Sequence, residues 1–267
     1  MRWTPLLSLL VALPAVAQIG PDETDPVKIM QAVEGRPQGD KAVGRLAMTV
    51  TDGQGRERKR VVQSWAMEFA GGRKQLMIFE SPADERNTGL LSVDYDDGAK
   101  DDDQWLYLTS LKKSTRISSG EKSGSFMGTD LSFADMTKAD PSHWSYTLVK
   151  PSAPSNGEDC WLIEATPKTD RAREETGYVK TMMFVSKRML LPVRTKAWVA
   201  KGKKLKYIDF GAFEQIDGVW TAKTIQARTV KDQTTESTTL LQFTSLKFNQ
   251  PEVNDGLFNQ GRLEKGL

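Results

Sequence analysis

The amino-acid sequence predicts a mainly β protein with a few short helices, and three observations support this fold class. Apolar and polar residues alternate with a period of two in many segments, which is typical of half-buried strands. Gly, Asp, Asn or Pro separates most of these segments, at the spacing of hairpins. No helical pattern recurs between them, so a parallel α/β sheet is not expected. We therefore predict about eleven or twelve strands in an antiparallel meander.

Residues 1–17 have the pattern of a signal peptide. Arg2 precedes an apolar stretch that is shorter than the ~20 residues needed to cross a bilayer. Ala15-Val16-Ala17 then has the small-residue pattern of a cleavage site. A buried N-terminal helix is the alternative, but two prolines bracket the apolar stretch. We therefore expect residues 18–267 to form a single domain that is exported as a soluble protein to the bacterial periplasm.

A short amphipathic helix is predicted directly after this segment. Asp25 is a good N-cap, Pro26 suits the first helical position, and Gly35 ends the pattern. Val27, Met30 and Val33 fall on one stripe of that helix. We expect this stripe to pack against another element.

A long hairpin is predicted next, followed by a series of further strands. Leu46, Met48 and Val50 alternate with smaller or polar residues, the turn at 52–55 follows, and the second strand runs over 61–69. The remaining strands are predicted in the segments 74–81, 88–95, 104–110, 143–150, 160–168, 178–186, 192–201, 204–214, 218–230 and 237–248.

Several of these strands are apolar on both faces, notably 76–79, 105–108 and 182–185. An antiparallel sheet of this kind must cover both of its faces. One solution is a curled sheet that encloses short helices, such as 26–33 and a segment around 131–136, and leaves an apolar space between sheet and helices. An ordinary β-sandwich core fits the pattern equally well.

The composition favours binding over catalysis. The chain of 267 residues has 37 Lys+Arg, 35 Asp+Glu, one His and one Cys. The near-neutral charge does not indicate nucleic-acid binding. The single Cys160 and single His143 exclude an internal disulfide, a Cys-rich metal site and a His-rich metal site. No G-x-S-x-G motif is present, and the acidic segment 94–103 lacks the spacing of a calcium loop. We therefore predict no catalytic residue, no metal site and no cofactor.

The central block of the chain carries a family resemblance. Its features are Pro82 with the turn Arg86-x-x-Gly89, Trp105–Leu108, Lys112-Lys113, the run 122–128, and Asp130-x-Ser132-Phe133-x-Asp135, with Asn254–Gln260 after the last strand. This pattern resembles the periplasmic outer-membrane lipoprotein-sorting proteins, which are similar to the lipoprotein carrier LolA. The resemblance implies a half-open antiparallel β-barrel closed by helices, with a hydrophobic cavity that holds acyl chains. It also implies an inner-membrane transporter of the resistance-nodulation-division (RND) type, or an outer-membrane acceptor, as a partner.

Two groups of residues are candidates for binding such cargo. Strand residues that could line the cavity are Met48, Trp65, Met67, Phe69, Met77, Phe79, Trp105, Tyr107, Met182, Phe184 and Trp198. Methionine suits such a cavity because its flexible thioether adapts to varied shapes. Basic residues that could contact a headgroup, a membrane surface or a partner are Lys112, Lys113, Arg116 and Lys122. An ordinary core and a solvated hairpin are the respective alternatives.

The sequence therefore predicts a monomeric periplasmic carrier, not an enzyme, that shields the acyl chains of lipoproteins or lipids during transfer to the outer membrane. The alternative is an accessory subunit of an RND-type envelope lipid transporter that uses the same fold without carrying cargo.

Overall fold

The computed structural model of the protein describes residues 19–138 and 140–267. The predicted signal peptide, residues 1–17, lies outside the described residues. In the described part of the chain there are three α-helices and thirteen strands. The helices are α1 (Pro26–Gly35), α2 (Asp170–Thr176) and α3 (Gln260–Lys265). The strands are β1 (Ala42–Asp52), β2 (Glu57–Phe69), β3 (Gly72–Ser81), β4 (Gly89–Tyr95), β5 (Asp103–Leu108), β6 (Lys113–Arg116), β7 (Trp144–Ser155), β8 (Glu158–Pro167), β9 (Tyr178–Ser186), β10 (Pro192–Val199), β11 (Lys204–Ile216), β12 (Val219–Lys231) and β13 (Thr234–Lys247).

All thirteen strands form one antiparallel open sheet built from two meanders, the first of β1–β6 and the second of β7–β13. The strand order is β6-β5-β4-β3-β2-β1-β13-β12-β11-β10-β9-β8-β7. β1 pairs with β13 from Val43↔Lys247 to Asp52↔Ser237, and this pairing joins the two meanders. The strands β6 and β7 are therefore the two edges of the sheet. The residues between them, which we call the crossover segment (117–138 and 140–143), run from one edge to the other.

The crossover segment covers one face of the sheet, which we call the inner face. Phe126, Leu131 and Phe133 of this segment pack against the inner-face residues of the first meander and of β11–β13. Inner-face residues alternate along each strand, as in Leu46, Met48 and Val50 of β1, as expected for a pleated strand. The predicted second helix around 131–136 is only a single 3-10 turn, Ala134–Met136.

The outer face of the first meander is covered by the C-terminal segment, residues 249–267. Val253, Phe258 and Leu263 of that segment pack on Leu76 and Ile78 of β3. Both faces of β3 are therefore buried, and the four residues Leu76–Phe79 are at most 2% exposed.

The helix α1 covers the inner face of the second meander. Asp25 accepts a hydrogen bond from the Val27 N–H at 2.9 Å and Pro26 begins the helix, which confirms the predicted helix start. Its buried residues are Ile29, Met30, Ala32 and Val33, and Ile29, Met30 and Val33 pack on β8 and β9. The predicted stripe was wrong at Val27, which is 46% exposed because the buried face is centred closer to Ile29.

The predicted fold class is confirmed: the protein is mostly β, with an open antiparallel sheet and three short helices. The strand missed by the sequence analysis is β6, which has only four residues and lies in a polar segment. Within the described residues, none of the helices is both long enough and apolar enough to cross a membrane.

Candidate functional site

An apolar cavity of about 440 Å³ lies between the inner face of the sheet, α1 and the crossover segment. Residues from β3 at one side to Trp144 of β7 at the other line the same space, which requires the sheet to curl around it. The apolar lining residues are Met30, Val33, Leu46, Met77, Leu131, Ala134, Met136, Trp144, Met183, Val185, Pro192, Ala197, Ile208, Phe210, Ile225, Leu241 and Phe243. The volume falls in the range of ligand pockets, roughly 300–1,000 Å³.

Four methionines lie in this lining, Met30, Met77, Met136 and Met183, and they come from α1, β3, the crossover segment and β9. Methionine side chains are unbranched and polarizable, so they can adjust to guests of different shape. The cavity wall can therefore accept a flexible apolar chain without fixed complementarity.

A buried polar cluster fixes the crossover segment at the cavity wall. Lys206 donates to Asp135 Oδ2 at 2.7 Å and to the Tyr178 hydroxyl at 2.8 Å. Burial opposes ionisation of Asp135, but the Lys206 ammonium and its hydrogen bonds hold the pKa of Asp135 below its ordinary value. The charge pair thus ties the turn Ala134–Met136 to β9 and β11.

A second buried carboxylate fixes the same segment to β12 and β13. Asp130 accepts hydrogen bonds from the hydroxyls of Thr229, Ser237 and Thr239, the last at 2.8 Å. Its backbone N–H also donates to Thr239 Oγ1 at 2.8 Å. The crossover segment is therefore held to the sheet at two points, through Asp130 and Asp135.

The predicted lining residues are distributed over both faces of the sheet. Met77 lines the cavity. Met48 and Phe79 lie on the inner face of the sheet like Met77, but they belong to the packed core around Phe126.

Four predicted lining residues lie on the opposite, outer face of the first meander. Trp65, Met67, Trp105 and Tyr107 pack with the C-terminal segment. They alternate along β2 and β5 with the inner-face residues, so the pleat of the strand directs them away from the cavity. Phe69, on the same side of β2, stacks edge-on with Tyr95 with the ring centroids 6.2 Å apart.

The other three predicted lining residues, Met182, Phe184 and Trp198, lie on the outer face of the second meander. Met183 and Val185, which alternate with them on β9, line the cavity instead. Phe184 packs with the buried Cys160, and burial raises the pKa of the Cys160 thiol to about 11. That environment is consistent with an unreactive thiol.

The four predicted basic contact residues are not together. Lys112 and Lys113 are exposed at the turn between β5 and β6. Arg116 donates to Asp103 Oδ1 at 2.5 Å. Lys122 is only 4% exposed, and it lines a separate small cavity of about 140 Å³ together with Asp102 and His143.

Sequence reasoning missed Arg36 and Arg73, which lie where the apolar cavity meets more polar space. It also missed the inner-face residues of β11–β13. The alternation along β9 could have suggested Met183 as well as Met182, but a run that is apolar on both faces does not indicate which face is inside.

Comparison with known proteins agrees with this fold. A search among curated proteins finds no match. A solved structure described as a candidate outer membrane lipoprotein-sorting protein domain from Vibrio parahaemolyticus is 28% identical, with a TM-score of 0.79, and the alignment covers 90% of this chain and 98% of that one. A LolA superfamily protein from Nitrosomonas europaea shares the fold at 19% identity, with a TM-score of 0.64 over 89% of this chain and 98% of that one.

The family follows from two further matches. A DUF1329 family protein from Desulfovibrio piger is 28% identical with a TM-score of 0.79, and the alignment covers 90% of this chain and all of that one, 100%. A family model described as an uncharacterized protein-like family matches residues 71–265. Since this match covers well over half of the chain, the protein belongs to that DUF1329-like family.

Proposed function

We propose that the protein is a carrier that holds the acyl chain of a lipid or lipoprotein in the apolar cavity. The observation that carries this proposal is the cavity of about 440 Å³, lined mainly by apolar side chains and four methionines. The relative from Vibrio parahaemolyticus, which is described in terms of lipoprotein sorting, supports the same cargo class.

The energetics of such binding need no special chemistry. Transfer of a methylene group from water to an apolar site contributes about 0.8 kcal/mol, so on the order of ten methylenes contribute about 8 kcal/mol. Ordering of the chain and loss of its translational freedom offset part of this gain. A micromolar or tighter complex is therefore within reach of apolar burial alone.

The place and direction of transport are part of the proposal. A signal peptide over residues 1–17 would direct the protein to the periplasm, where acylated cargo moves between the inner and outer membranes. The exposed Lys112 and Lys113 are suited to contact an anionic membrane surface or a partner protein, because each basic residue contributes about 1 kcal/mol near such a surface.

The experiment compares two adjacent methionines that face opposite sides of β9. Met183→Glu places a carboxylate in the cavity, whereas Met182→Glu places it on the outer face. Native mass spectrometry of the protein purified from the cell envelope is expected to show bound lipid in the parent protein and in Met182→Glu. Met183→Glu is expected to lose at least about tenfold of the bound lipid.

A second variant, without a buried charge, distinguishes loss of lipid binding from loss of folding. Thr195→Trp fills the cavity from β10 without adding a charge and is expected to reduce lipid retention in the same way. Parent protein free of lipid and unable to bind a fluorescent fatty acid would overturn the carrier proposal. That result would favour the alternative, an accessory subunit of an RND-type transporter that carries no cargo.

A further inference from the structure

We propose that Arg36 and Arg73 bind the anionic headgroup, a carboxylate or a phosphate, of the acyl ligand. This inference rests on the proposed carrier function and names the class of ligand. Arg36 lines three neighbouring cavities and Arg73 lines two of them, so one ligand could place its chain and its headgroup in different environments.

The junction is defined by shared lining residues. The apolar cavity and a second cavity of about 250 Å³ are both lined by Arg36, Gln75 and Phe210. A third cavity, of about 280 Å³, is lined mainly by polar residues and includes both Arg36 and Arg73. Arg36 thus lines all three spaces, so its side chain lies where the two more apolar spaces approach the polar one.

Arg36 is a partly buried charge with an incomplete set of partners. It follows the last residue of α1, and its Nη1 donates to the backbone carbonyl of Val33 in the same helix. Its Nε is buried and has no hydrogen-bond partner among the residues that the structure describes. Across 19–138 and 140–267, Arg36 forms no ion pair with a carboxylate.

Burial lowers the pKa of the Arg36 guanidinium, the charge of Glu34 offsets part of this effect, and the charge of Arg73 lowers the pKa further. A guanidinium stays charged in proteins, so this cost remains in the unliganded state. A buried charge without a counter-ion is unfavourable, and a charge-assisted hydrogen bond to an anion offsets that cost.

Arg73 provides the second cation. It extends from the inner face of β3 and donates through Nη1 to the backbone carbonyl of Gly39 at 3.2 Å and to Glu68 Oε1 at 3.3 Å. Burial lowers the pKa of Arg73 as well. An anion placed near both guanidinium groups would relieve their mutual repulsion.

Among the described residues, the neighbouring carboxylates form no ion pair with Arg36, and Glu34 compensates its charge only in part. Glu68 is 52% exposed and pairs with Arg73, and Asp96 is 59% exposed and lies 3.6 Å from Lys138. Burial raises the pKa of Glu34, the third carboxylate of the polar cavity, and so disfavours its charged form, and its nearest cation is Lys138 at 3.9 Å. The charge of Arg36 is therefore only partly compensated by the protein.

The geometry of the ligand follows from these contacts. The planar guanidinium fork matches a carboxylate or a phosphate, which it can bind through two parallel hydrogen bonds. The headgroup would occupy the polar cavity beside the two arginines. The acyl chain would extend past Gln75 into the apolar cavity.

The test compares ligands with the same chain and different headgroups. Dodecanoic acid, dodecyl phosphate and dodecanol are titrated against the protein by calorimetry. We expect the two anionic ligands to bind about tenfold tighter than the neutral alcohol. In Arg36→Gln the ratio of the affinities for the anionic ligands and the alcohol should fall nearly to one, while the affinity for dodecanol stays unchanged. Arg73→Gln should reduce this ratio in part.

A matched control and a free anion complete the test. Arg45→Gln removes an arginine that is 50% exposed and pairs with Glu80 on the outer face, and it should leave all affinities unchanged. Inorganic phosphate alone should bind far more weakly than dodecyl phosphate. Equal binding of these two would overturn the headgroup assignment and indicate a site for a free anion.

The outcomes separate this inference from the carrier proposal. Equal affinity of the parent protein for the acid and the alcohol, or an unchanged preference in Arg36→Gln, would overturn the inference and leave the carrier proposal intact. Failure of all three chain ligands to bind would instead contradict the carrier proposal. Urea unfolding of Arg36→Gln checks that the fold is retained, since removal of a poorly paired buried charge should not lower its stability.

Discussion

The two meanders of the sheet contain similar apolar runs, but these runs are buried in different ways. In β3, the apolar run Leu76–Phe79 is almost fully buried, because the crossover segment covers one face and the C-terminal segment covers the other, and only Met77 of this run borders the cavity. In β9, the apolar run of residues 182–185 has a cavity on one face, and three of its four residues remain half-buried. The difference shows that the segments laid across a sheet, more than the strands themselves, decide where it is filled and where it is hollow.

The outer faces of the two meanders differ in the same way. The first is buried mainly under the C-terminal segment and also has cation–aromatic pairs such as Lys74 with Phe69, whereas the second carries such pairs on Trp198 and Tyr207. Lys196 lies 4.5 Å and Lys180 lies 4.8 Å from the ring centroid of Trp198, and Arg228 lies 4.9 Å from that of Tyr207. The long charged side chains shield aromatic surface while their charged ends stay in water.

The largest expected effect lies in the filled meander. Phe79 is 0% exposed and packs in the core beside Phe126, with ring centroids 6.2 Å apart. Phe79→Ala should lower the free energy of unfolding by about 3–5 kcal/mol, since it removes a large side chain and leaves a void. Urea denaturation measures this change. A loss below about 1 kcal/mol would show that this core is not closely packed.

A pH-dependent effect is expected next, at the polar end of the same meander. Burial and the charge of Asp102 raise the pKa of Asp94 to about 7, and Asp94 Oδ1 has no hydrogen-bond partner among the described residues. The native state therefore binds a proton that the unfolded state releases, and stability falls as the pH rises from about 4 to about 7.

Asp94→Asn removes this dependence. Above pH 7, the variant should be more stable than the parent by on the order of 3 kcal/mol, and the two should converge near pH 4. Urea unfolding across this pH range gives the comparison. Parallel curves for the two proteins would mean that Asp94 titrates at its ordinary pKa.

A smaller effect is expected in the hollow meander. Met183→Ala should cost only about 1 kcal/mol, less than the ~2–5 kcal/mol typical of a closely packed methionine, because one side of Met183 already borders empty space. The same denaturation assay measures it. A cost equal to that of Phe79→Ala would contradict the contrast between the two meanders.

The smallest effect is expected on the outer face of the second meander. Lys196→Ala removes contacts with the rings of Trp198 and Tyr207. It should change the free energy of unfolding by about 0.5–1 kcal/mol at most, as is usual for exposed cation–aromatic pairs. A thermal shift larger than that of Met183→Ala would indicate that this face is more closely packed than the contacts suggest.

The sequence was sufficient for local features and insufficient for those that depend on pairing. Asp25 and Pro26 define the start of α1, and period-two alternation locates twelve of the thirteen strands. It does not define which face of β9 is inside, because residues 182–185 are apolar on both faces. The roles of Arg36 and the crossover segment depend on contacts between residues far apart in the chain, and no local pattern encodes those contacts.

The pairing of β1 with β13 has a consequence for the order of assembly. These strands are separated by nearly the whole sheet in sequence, and they meet at its centre. Such a high contact order predicts slow folding. A growing chain that holds only β1–β12 would present β1 and β12 as two free edges, which are prone to pair with other chains. The cavity acquires its Leu241 and Phe243 wall only when β13 is in place, so the cavity is complete only after the last strand has paired.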